Sequence, residues 1–243
     1  MTPEELCTTT AAPIGTIGAH FYFQPETLAA GKEIGLDGFR FYILGRGGVM
    51  GDVDNAVVQS AFGYFDPALI ERMWDSARER VPAREAAAAY LEASYTVARS
   101  TVAASPTLEA FVDAAAKVVA NVDRSGLPLF AGYASMPVPD DTVAAAYHYA
   151  VLLRELRGSV HLASVAAAGL HSRVAHQMRR PDMVEFFGWT EELDVVDEHH
   201  DRRARADEMT DDAMTQIYSV LSADEAAAFA VGVEEMAQAL EVT

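Results

Sequence analysis

The chain has 243 residues, about half of them apolar, which is enough for one large domain or for a main domain with a small appendage. Its net charge is −18, and the excess lies at the C-terminal end, where 17 acidic residues from Asp182 onward face three arginines. A surface that binds nucleic acid needs basic side chains to displace counterions from phosphate, so this composition argues against DNA or RNA as a partner.

The single cysteine, Cys7, cannot form a disulfide within the chain, which is typical of a protein in a reducing compartment. The sequence shows no basic-then-apolar leader, and no apolar run reaches the roughly 20 residues that a membrane span needs. We therefore expect a cytoplasmic protein with no membrane partner.

The N-terminal part of the chain combines aromatic residues with glycines. Residues 1–19 are weakly patterned, whereas residues 20–24 contain three aromatic rings and are expected to wedge into a core. Pro25 can open a short helix. Residues 39–44 fit either a short helix or a strand, and the glycines of residues 45–51 predict a loop with close backbone contacts.

Arg40 and Arg46 stand among these aromatic residues in a protein that has few basic side chains. Two interpretations remain open at this stage. Either the two arginines bind a carboxylate or phosphate group of a ligand, or they form ion pairs with an internal acid such as Asp37 or Asp52.

A series of helices follows, most of them opened by a proline or an Asp-Pro pair. Apolar residues from Leu108 to Val119 recur at helical spacing. Residues 126–133 form either a turn or an interrupted helix start. The predicted helices cover residues 52–62, 66–79, 82–101 and a segment that begins at Pro106.

The segment from Pro139 to His171 is expected to form the centre of the fold. Asp140 or Asp141 can cap a helix whose residues 143–153 are almost wholly apolar. A helix that is apolar on every side is normally buried on every side. Gly158 either ends this helix or, if the helix continues, lets a neighbouring element approach closely.

Charged residues follow directly after the apolar run. If the helix continues, Arg154, Arg157 and His161 share one face, and Glu155 lies beside them. A glutamate that orients an imidazole forms a general acid–base unit, and adjacent guanidinium groups can hold an anionic substrate. The alternative is an internal ion-pair network that joins two helices.

The C-terminal region changes character after Pro181. Residues 186–189 form a small aromatic cluster, residues 191–212 read as a charged helix or linker, and Ser222 to Glu225 is a capping box. Apolar residues from Met214 to Leu240 recur at spacings of three or four. Because too little chain follows Pro181 to form a domain core, this stripe must cover the main domain or a second copy, and we expect a homodimer.

Six motifs stand out together: Phe-Tyr-Phe-x-Pro-Glu at 21–26, Gly-Leu-Asp-Gly-Phe-Arg at 35–40, Leu-Gly-Arg-Gly-Gly-Val-x-Gly-Asp at 44–52, Ala-Phe-Gly-Tyr-Phe-x-Pro-Ala at 61–68, Leu-Arg-Glu-Leu-Arg-Gly-Ser-x-His at 153–161 and Phe-Gly-Trp at 187–189. They resemble a large actinobacterial family of roughly this length, usually labelled as helix-turn-helix proteins. The segment 209–225 is similar to the terminal, dimer-forming helices of MarR-type regulators.

This resemblance implies a DNA-binding ancestry but brings no known catalytic residues. A winged helix needs a recognition helix followed by a short hairpin with basic side chains. Between Trp189 and Met209 there is no glycine and no run of β-branched residues, and the acids outnumber the bases. The wing is therefore missing from this sequence.

We predict an all-α fold with a helical ligand-binding domain at residues 1–181. An acidic C-terminal helical region at residues 182–243, derived from a degenerate winged helix, completes it. The expected ligand is an aromatic or polycyclic small molecule, with or without an acid group, in a pocket lined by helices. Catalysis of a cofactor-independent acid–base or cyclisation reaction in specialised metabolism is left open. The candidate catalytic residues are His161, Glu155 and His20, and the candidate ligand-binding residues are Tyr22, Arg40, Tyr42, Arg46, Tyr133, His148, Arg154 and Arg157.

Two alternative functions remain open. A haem could be held by one histidine among aromatic residues, although no attachment motif supports it. The other alternative is a ligand-responsive transcription regulator that has lost its DNA-binding wing. The histidines and the cysteine lack the spacing of a zinc site, so no metal site is predicted and the sequence requires no cofactor.

We predict no measurable binding to duplex DNA at physiological salt, because the C-terminal region would repel phosphate. Ordinary non-specific binding has dissociation constants of about 10⁻⁴–10⁻⁶ M under these conditions, so an electrophoretic mobility assay can detect it. A micromolar shift that weakens with added salt would contradict this prediction and favour the regulator.

Overall fold

A computed structural model describes residues 1–242 of the chain. These residues form twelve α-helices, three short 3₁₀ turns and no strand, so the predicted all-α fold class is confirmed. The helices are α1 (Pro3–His20), α2 (Pro25–Glu33), α3 (Gly38–Gly47), α4 (Asn55–Phe62), α5 (Pro67–Arg78), α6 (Ala83–Thr101), α7 (Pro106–Asn121), α8 (Pro128–Tyr133), α9 (Thr142–Ala167), α10 (Ser172–Arg179), α11 (Asp197–Tyr218) and α12 (Ala223–Ala239).

Helix α9 is the centre of the fold, as its apolar sequence predicted. Its first turn is capped by Asp141, whose carboxylate accepts a hydrogen bond from the backbone of Ala144 at 3.0 Å. Every residue from 143 to 153 is buried, because α1, α6, α7, α8, α10 and α11 all pack around it. The helix runs on through Gly158, which neither ends it nor faces a neighbour within 4 Å.

Helix α1 covers most of the N-terminal segment whose sequence is only weakly patterned. The Thr2 hydroxyl oxygen caps α1 by accepting a hydrogen bond from the Glu5 backbone, and the Glu5 carboxylate accepts one from the Thr2 backbone, which completes a capping box. Leu6, Ile14 and Ile17 are buried and lie on one face of the helix. This face packs against α9, α11 and α12.

The glycine-rich segment is helical where a loop was expected. Residues 39–44 belong to α3, which continues to Gly47 and ends in a 3₁₀ turn over residues 48–50. The expected close contacts are present: a side chain at Gly45 would meet the Tyr90 ring at 2.6 Å, and one at Gly48 would collide with the Ala83 carbonyl group. The glycines therefore let α3 lie directly against α6.

The C-terminal helices pack against their own chain. Helix α12 lies on α1 and α7, and α11 lies on α1 and α9. Met214, Phe229 and Met236 of the apolar stripe are buried in the core that the N-terminal helices form. The domain division at residue 181 and the homodimer stay predictions. The apolar stripe that suggested a second copy is already covered by helices of its own chain.

Residues 180–196 join α10 to α11 without an α-helix, so α11 begins later than the predicted segment 191–212. The predicted start of α4 at Asp52 is also early, since the helix begins at Asn55. Among the described residues, every helix is too short or too polar to cross a membrane.

We expect Gly48→Ala to lower the free energy of unfolding by about 1–3 kcal/mol, because the new methyl group would press on the backbone of Ala83. Gly158→Ala is the matched control on open helix surface and should raise stability by about 0.5–1 kcal/mol. Urea unfolding curves measure both changes. Equal effects of the two substitutions would show that α3 and α6 are not in close contact.

Candidate functional site

The strongest polar contact in the interior joins Arg46 of α3 to Glu155 of α9. The Arg46 Nε atom donates to one carboxylate oxygen at 2.9 Å, and its Nη2 atom donates to the other at 2.8 Å. The Glu155 residue is 1% exposed and Arg46 is 9% exposed. This geometry is the bidentate pairing that a planar guanidinium group makes with a carboxylate.

Three further side chains, those of Arg154, Tyr22 and Tyr42, join Arg46 and Glu155 in what we call the arginine–glutamate cluster. Arg154 donates to the Glu155 carboxylate at 2.7 Å, and its guanidinium carbon lies 4.9 Å from the centre of the Tyr22 ring. The Tyr22 hydroxyl group also donates to Glu155, at 3.2 Å. Arg46 donates to the Tyr42 hydroxyl oxygen at 3.2 Å. Five of the eleven predicted site residues are thus brought together.

Burial and the two guanidinium groups set the protonation of the cluster. Burial alone would raise the pKa of Glu155, but Arg46 and Arg154 outweigh it and lower that pKa to about 2. Burial raises the pKa of the Tyr22 hydroxyl group well above its usual value. Glu155 is therefore ionised at neutral pH, and Tyr22 stays a neutral hydrogen-bond donor.

Two more tyrosines lie beside the cluster. Tyr133 is 1% exposed, and its pKa is raised by burial and by the charge of Glu155. The sequence gives no signal that singles out Tyr90, which lies in the alanine-rich helix α6. Its ring centre is 6.2 Å from that of Tyr22, and its buried hydroxyl group has no hydrogen-bond partner among the described residues.

The structure does not bring Glu155 and His161 together, so the predicted acid–base pair is corrected. Both oxygens of Glu155 are taken up by the cluster. His161 lies two turns further along α9, where its Nδ1 atom is 3.0 Å from the Thr210 hydroxyl oxygen and 3.7 Å from the Asp207 carboxylate. Burial, followed by the charge of Arg203, lowers the pKa of His161 to about 4.

Three other predicted residues lie outside the cluster. Arg157 pairs with Asp211 of α11 at 3.0 Å. Arg40 forms an ion pair with Asp37, one of the alternatives considered above, and donates to the Ser76 hydroxyl oxygen at 2.8 Å. The ring of His20 contacts Gln24 at 3.2 Å at the end of α1.

His148 forms a separate buried pair with Tyr95 of α6. The distance between its Nδ1 atom and the Tyr95 hydroxyl oxygen is 2.6 Å, and its Nε2 atom has no hydrogen-bond partner within the described residues. The His148 residue is 0% exposed, and burial lowers its pKa to about 4. It is therefore neutral at physiological pH.

Two surface clefts lie away from the cluster. A cleft of about 430 Å³ lies between the start of α5 and the segment that precedes α11, with Arg72, Arg173 and Trp189 in its lining. None of the eleven predicted site residues lines it. Within residues 1–242, no group of three or more His, Cys, Asp or Glu side chains is placed to hold a metal ion.

The fold and the site define an all-α protein built around a buried arginine–glutamate cluster. The chain belongs to the Helix-turn-helix family, whose profile matches residues 8–242. Comparison with curated proteins gives no match, and neither does comparison with solved structures. The match to the family profile confirms the helix-turn-helix resemblance seen in the sequence.

We expect stability to fall as the pH drops from about 6.5 to about 4. In this window the unfolded chain protonates His148, His161 and His176, whose folded pKa values are each lowered to about 4, so acid favours unfolding. Fully buried His148 accounts for about 3 kcal/mol, and the other two histidines for less. Glu155 adds to the loss only below its usual pKa of 4.5.

The measurement is the urea midpoint at several pH values between 4 and 7. In a His148→Gln variant the amide group can still bond to Tyr95 but does not titrate, so the midpoint should change less with pH than in the wild type. An unchanged pH dependence in this variant would show that the pKa of His148 is not lowered in the folded protein.

Proposed function

We propose that this protein binds an anionic aromatic small molecule at the arginine–glutamate cluster. The observation that supports this most directly is the imbalance of charge. Two guanidinium groups share one carboxylate, and neither forms an ion pair with any other described acid. Because a buried charge without a partner costs several kcal/mol, an anionic ligand would stabilise the cluster by balancing the second arginine.

The surroundings of the cluster fit the aromatic part of such a ligand. The Arg46 guanidinium carbon lies 4.3 Å from the centre of the Phe62 ring, and the Tyr42 ring stands 5.0 Å from that of Tyr22. The unpartnered hydroxyl group of Tyr90 offers a further hydrogen bond. Apolar rings with a few convergent polar groups are typical of small-molecule sites.

Access to the cluster is provided by Arg154. Its side chain is 24% exposed, whereas that of Arg46 is 11% exposed. A ligand that approaches from solvent therefore meets the less buried of the two arginines first. The second guanidinium group, that of Arg46, is already oriented by its two bonds to Glu155.

Binding is the activity that the cluster supports, rather than proton transfer. With its pKa at about 2, Glu155 does not carry a proton at neutral pH, and Tyr22 does not lose one. General acid–base catalysis is most effective when the pKa of the group lies near the working pH. Neither group meets this condition.

A transcription regulator that has lost its wing is the second candidate function, because the chain belongs to the Helix-turn-helix family. A ligand bound at the cluster would then be the signal. The acidic surface of α11 and the lack of a strand in residues 1–242 weigh against a winged-helix contact with DNA.

Anthracene-2-carboxylate is a suitable probe, with 2-(hydroxymethyl)anthracene as its uncharged analogue. We expect the full chain to prefer the carboxylate, and Arg154→Met to weaken binding by about 10- to 100-fold, as loss of a hydrogen bond to a charged group predicts. Arg157→Met is the matched control, since Arg157 lies on the same helix and pairs with Asp211 instead. Isothermal titration calorimetry measures the affinities.

Two results would contradict the proposal. The first is equal affinity for the carboxylate and the alcohol. The second is an Arg154→Met protein that melts at a much lower temperature while its affinity for the probe stays that of the wild type, since the cluster would then only join helices. Native mass spectrometry of the purified chain adds an independent check, because a bound anion would appear as added mass that the Arg154→Met variant lacks.

A further inference from the structure

Residues 181–192, which we call the strap, cross the outside of the aromatic residues that surround the cluster. Phe187 of the strap stacks on Phe65, with ring centres 4.1 Å apart, and its ring centre is 3.7 Å from that of His176. The neighbouring ring of Phe186 meets Phe39 at 5.3 Å and is itself 39% exposed. The rings of the strap thus form the outer end of a layer of aromatic side chains that extends into the protein.

The contacts that hold the strap in place lie near the surface, and they include Arg173, whose guanidinium carbon lies 4.4 Å from the centre of the Trp189 ring and which donates to the Glu191 carbonyl oxygen. The Phe187 carbonyl oxygen accepts a hydrogen bond from the backbone of Asp66 at 2.8 Å, and the Trp189 indole nitrogen donates to the Tyr64 carbonyl oxygen at 2.8 Å. Within residues 181–192, only Val184 is classed as buried. Clefts of about 430 and 280 Å³ flank Trp189 on its two sides. Segments with so little buried area open at a low cost in free energy.

A continuous series of rings connects the strap to the charged cluster. The Arg46 guanidinium carbon lies over Phe62 at 4.3 Å, Phe62 is 6.2 Å from Phe65, and Phe65 stacks on Phe187. Tyr42, which accepts a hydrogen bond from Arg46, also faces Phe65 at 6.2 Å. An aromatic ligand anchored at the arginines would therefore extend along this series toward the strap.

We propose that Phe187 occupies the position that the distal ring of the ligand takes, so that binding displaces the strap. This inference rests on the proposed function, and it specifies the ligand as an elongated polycyclic acid. Its acid group would bind Arg46 and Arg154, while its last ring would replace Phe187 against Phe65. A single-ring acid such as benzoate would reach the arginines but leave the strap in place.

Competition between the strap and the ligand has a measurable consequence. A ligand that binds only the open form has its affinity reduced by the fraction of molecules that are open. If about a tenth or less of the molecules are open, as is common for minor states, removing the Phe187 ring raises affinity by about tenfold or more. Substitution of a ring that only stabilises the core does not produce this gain.

The two tryptophans provide a direct readout in the full chain. Trp189 lies on the strap, whereas Trp74 is 0% exposed in the core and donates to the Val53 carbonyl oxygen at 3.0 Å. We expect the ¹⁹F resonance of 5-fluorotryptophan at position 189 to move toward its solvent-exposed value when anthracene-2-carboxylate binds. The resonance of position 74 should stay in place, and benzoate should move neither. A Trp189→Phe variant assigns the two signals.

The second measurement compares Phe187→Leu with Phe229→Leu. Phe229 also loses a ring that packs on other rings, but it lies on α12, where it contacts Phe111 and Tyr218. We expect about tenfold tighter binding of anthracene-2-carboxylate to Phe187→Leu and unchanged binding to Phe229→Leu.

The outcomes separate this inference from the proposed function. If the wild type binds the probe through Arg154 but the Trp189 resonance does not move, displacement of the strap is wrong and the anion site stands. If neither the wild type nor Phe187→Leu binds the probe, both proposals are wrong. The resonance measurement on the wild type decides the matter even if Phe187→Leu fails to fold.

Discussion

Two parallel hydrogen bonds between Arg46 and Glu155 fix α3 against α9 deep in the protein. Loss of Glu155 would leave the Arg46 charge unpaired in the interior, which typically costs 3–5 kcal/mol. The glycine face of α3 packs against α6. The Arg46–Glu155 pair, which holds α3, therefore also sets the position of the aromatic residues around the cluster. The arrangement of charge and rings at the cluster is thus a consequence of how three helices pack.

Most of the fold could be predicted from local signals in the sequence. The prolines and aspartates that open α5, α6 and α7 act within one turn of helix, so they are visible without any knowledge of the fold. Helix α1 was missed because its threonines, glycines and Pro13 weaken the apolar pattern, although Thr2 and Glu5 form a readable capping box. The glycines of α3 were read as a loop because only tertiary contacts with Tyr90 and Ala83 explain them.

The candidate site could be predicted only in part. Arg46, Arg154 and Glu155 were recognisable because charged residues in apolar segments need partners. Their pairing was not, since Arg46 and Glu155 are 109 positions apart and only the packing of both α3 and α9 on α6 brings them into contact. His161 has the helical spacing of a neighbour of Arg154 and Arg157, but its ring turns toward α11 and Thr210. Helical spacing predicts which side chains share a face of a helix. The element that packs on that face determines which residues those side chains contact.

The packing of α1 has a consequence for how the protein is made. The apolar face of this first helix is covered by α9, α11 and α12, and the amino group of Met1 reaches the Ala223 carbonyl oxygen at 3.3 Å. The partners of this face on α11 and α12 are therefore synthesised long after Leu6 and Ile14. Until then these side chains stay exposed to water, and contacts of such high sequence separation form slowly. An apolar face that stays exposed during synthesis is prone to aggregation.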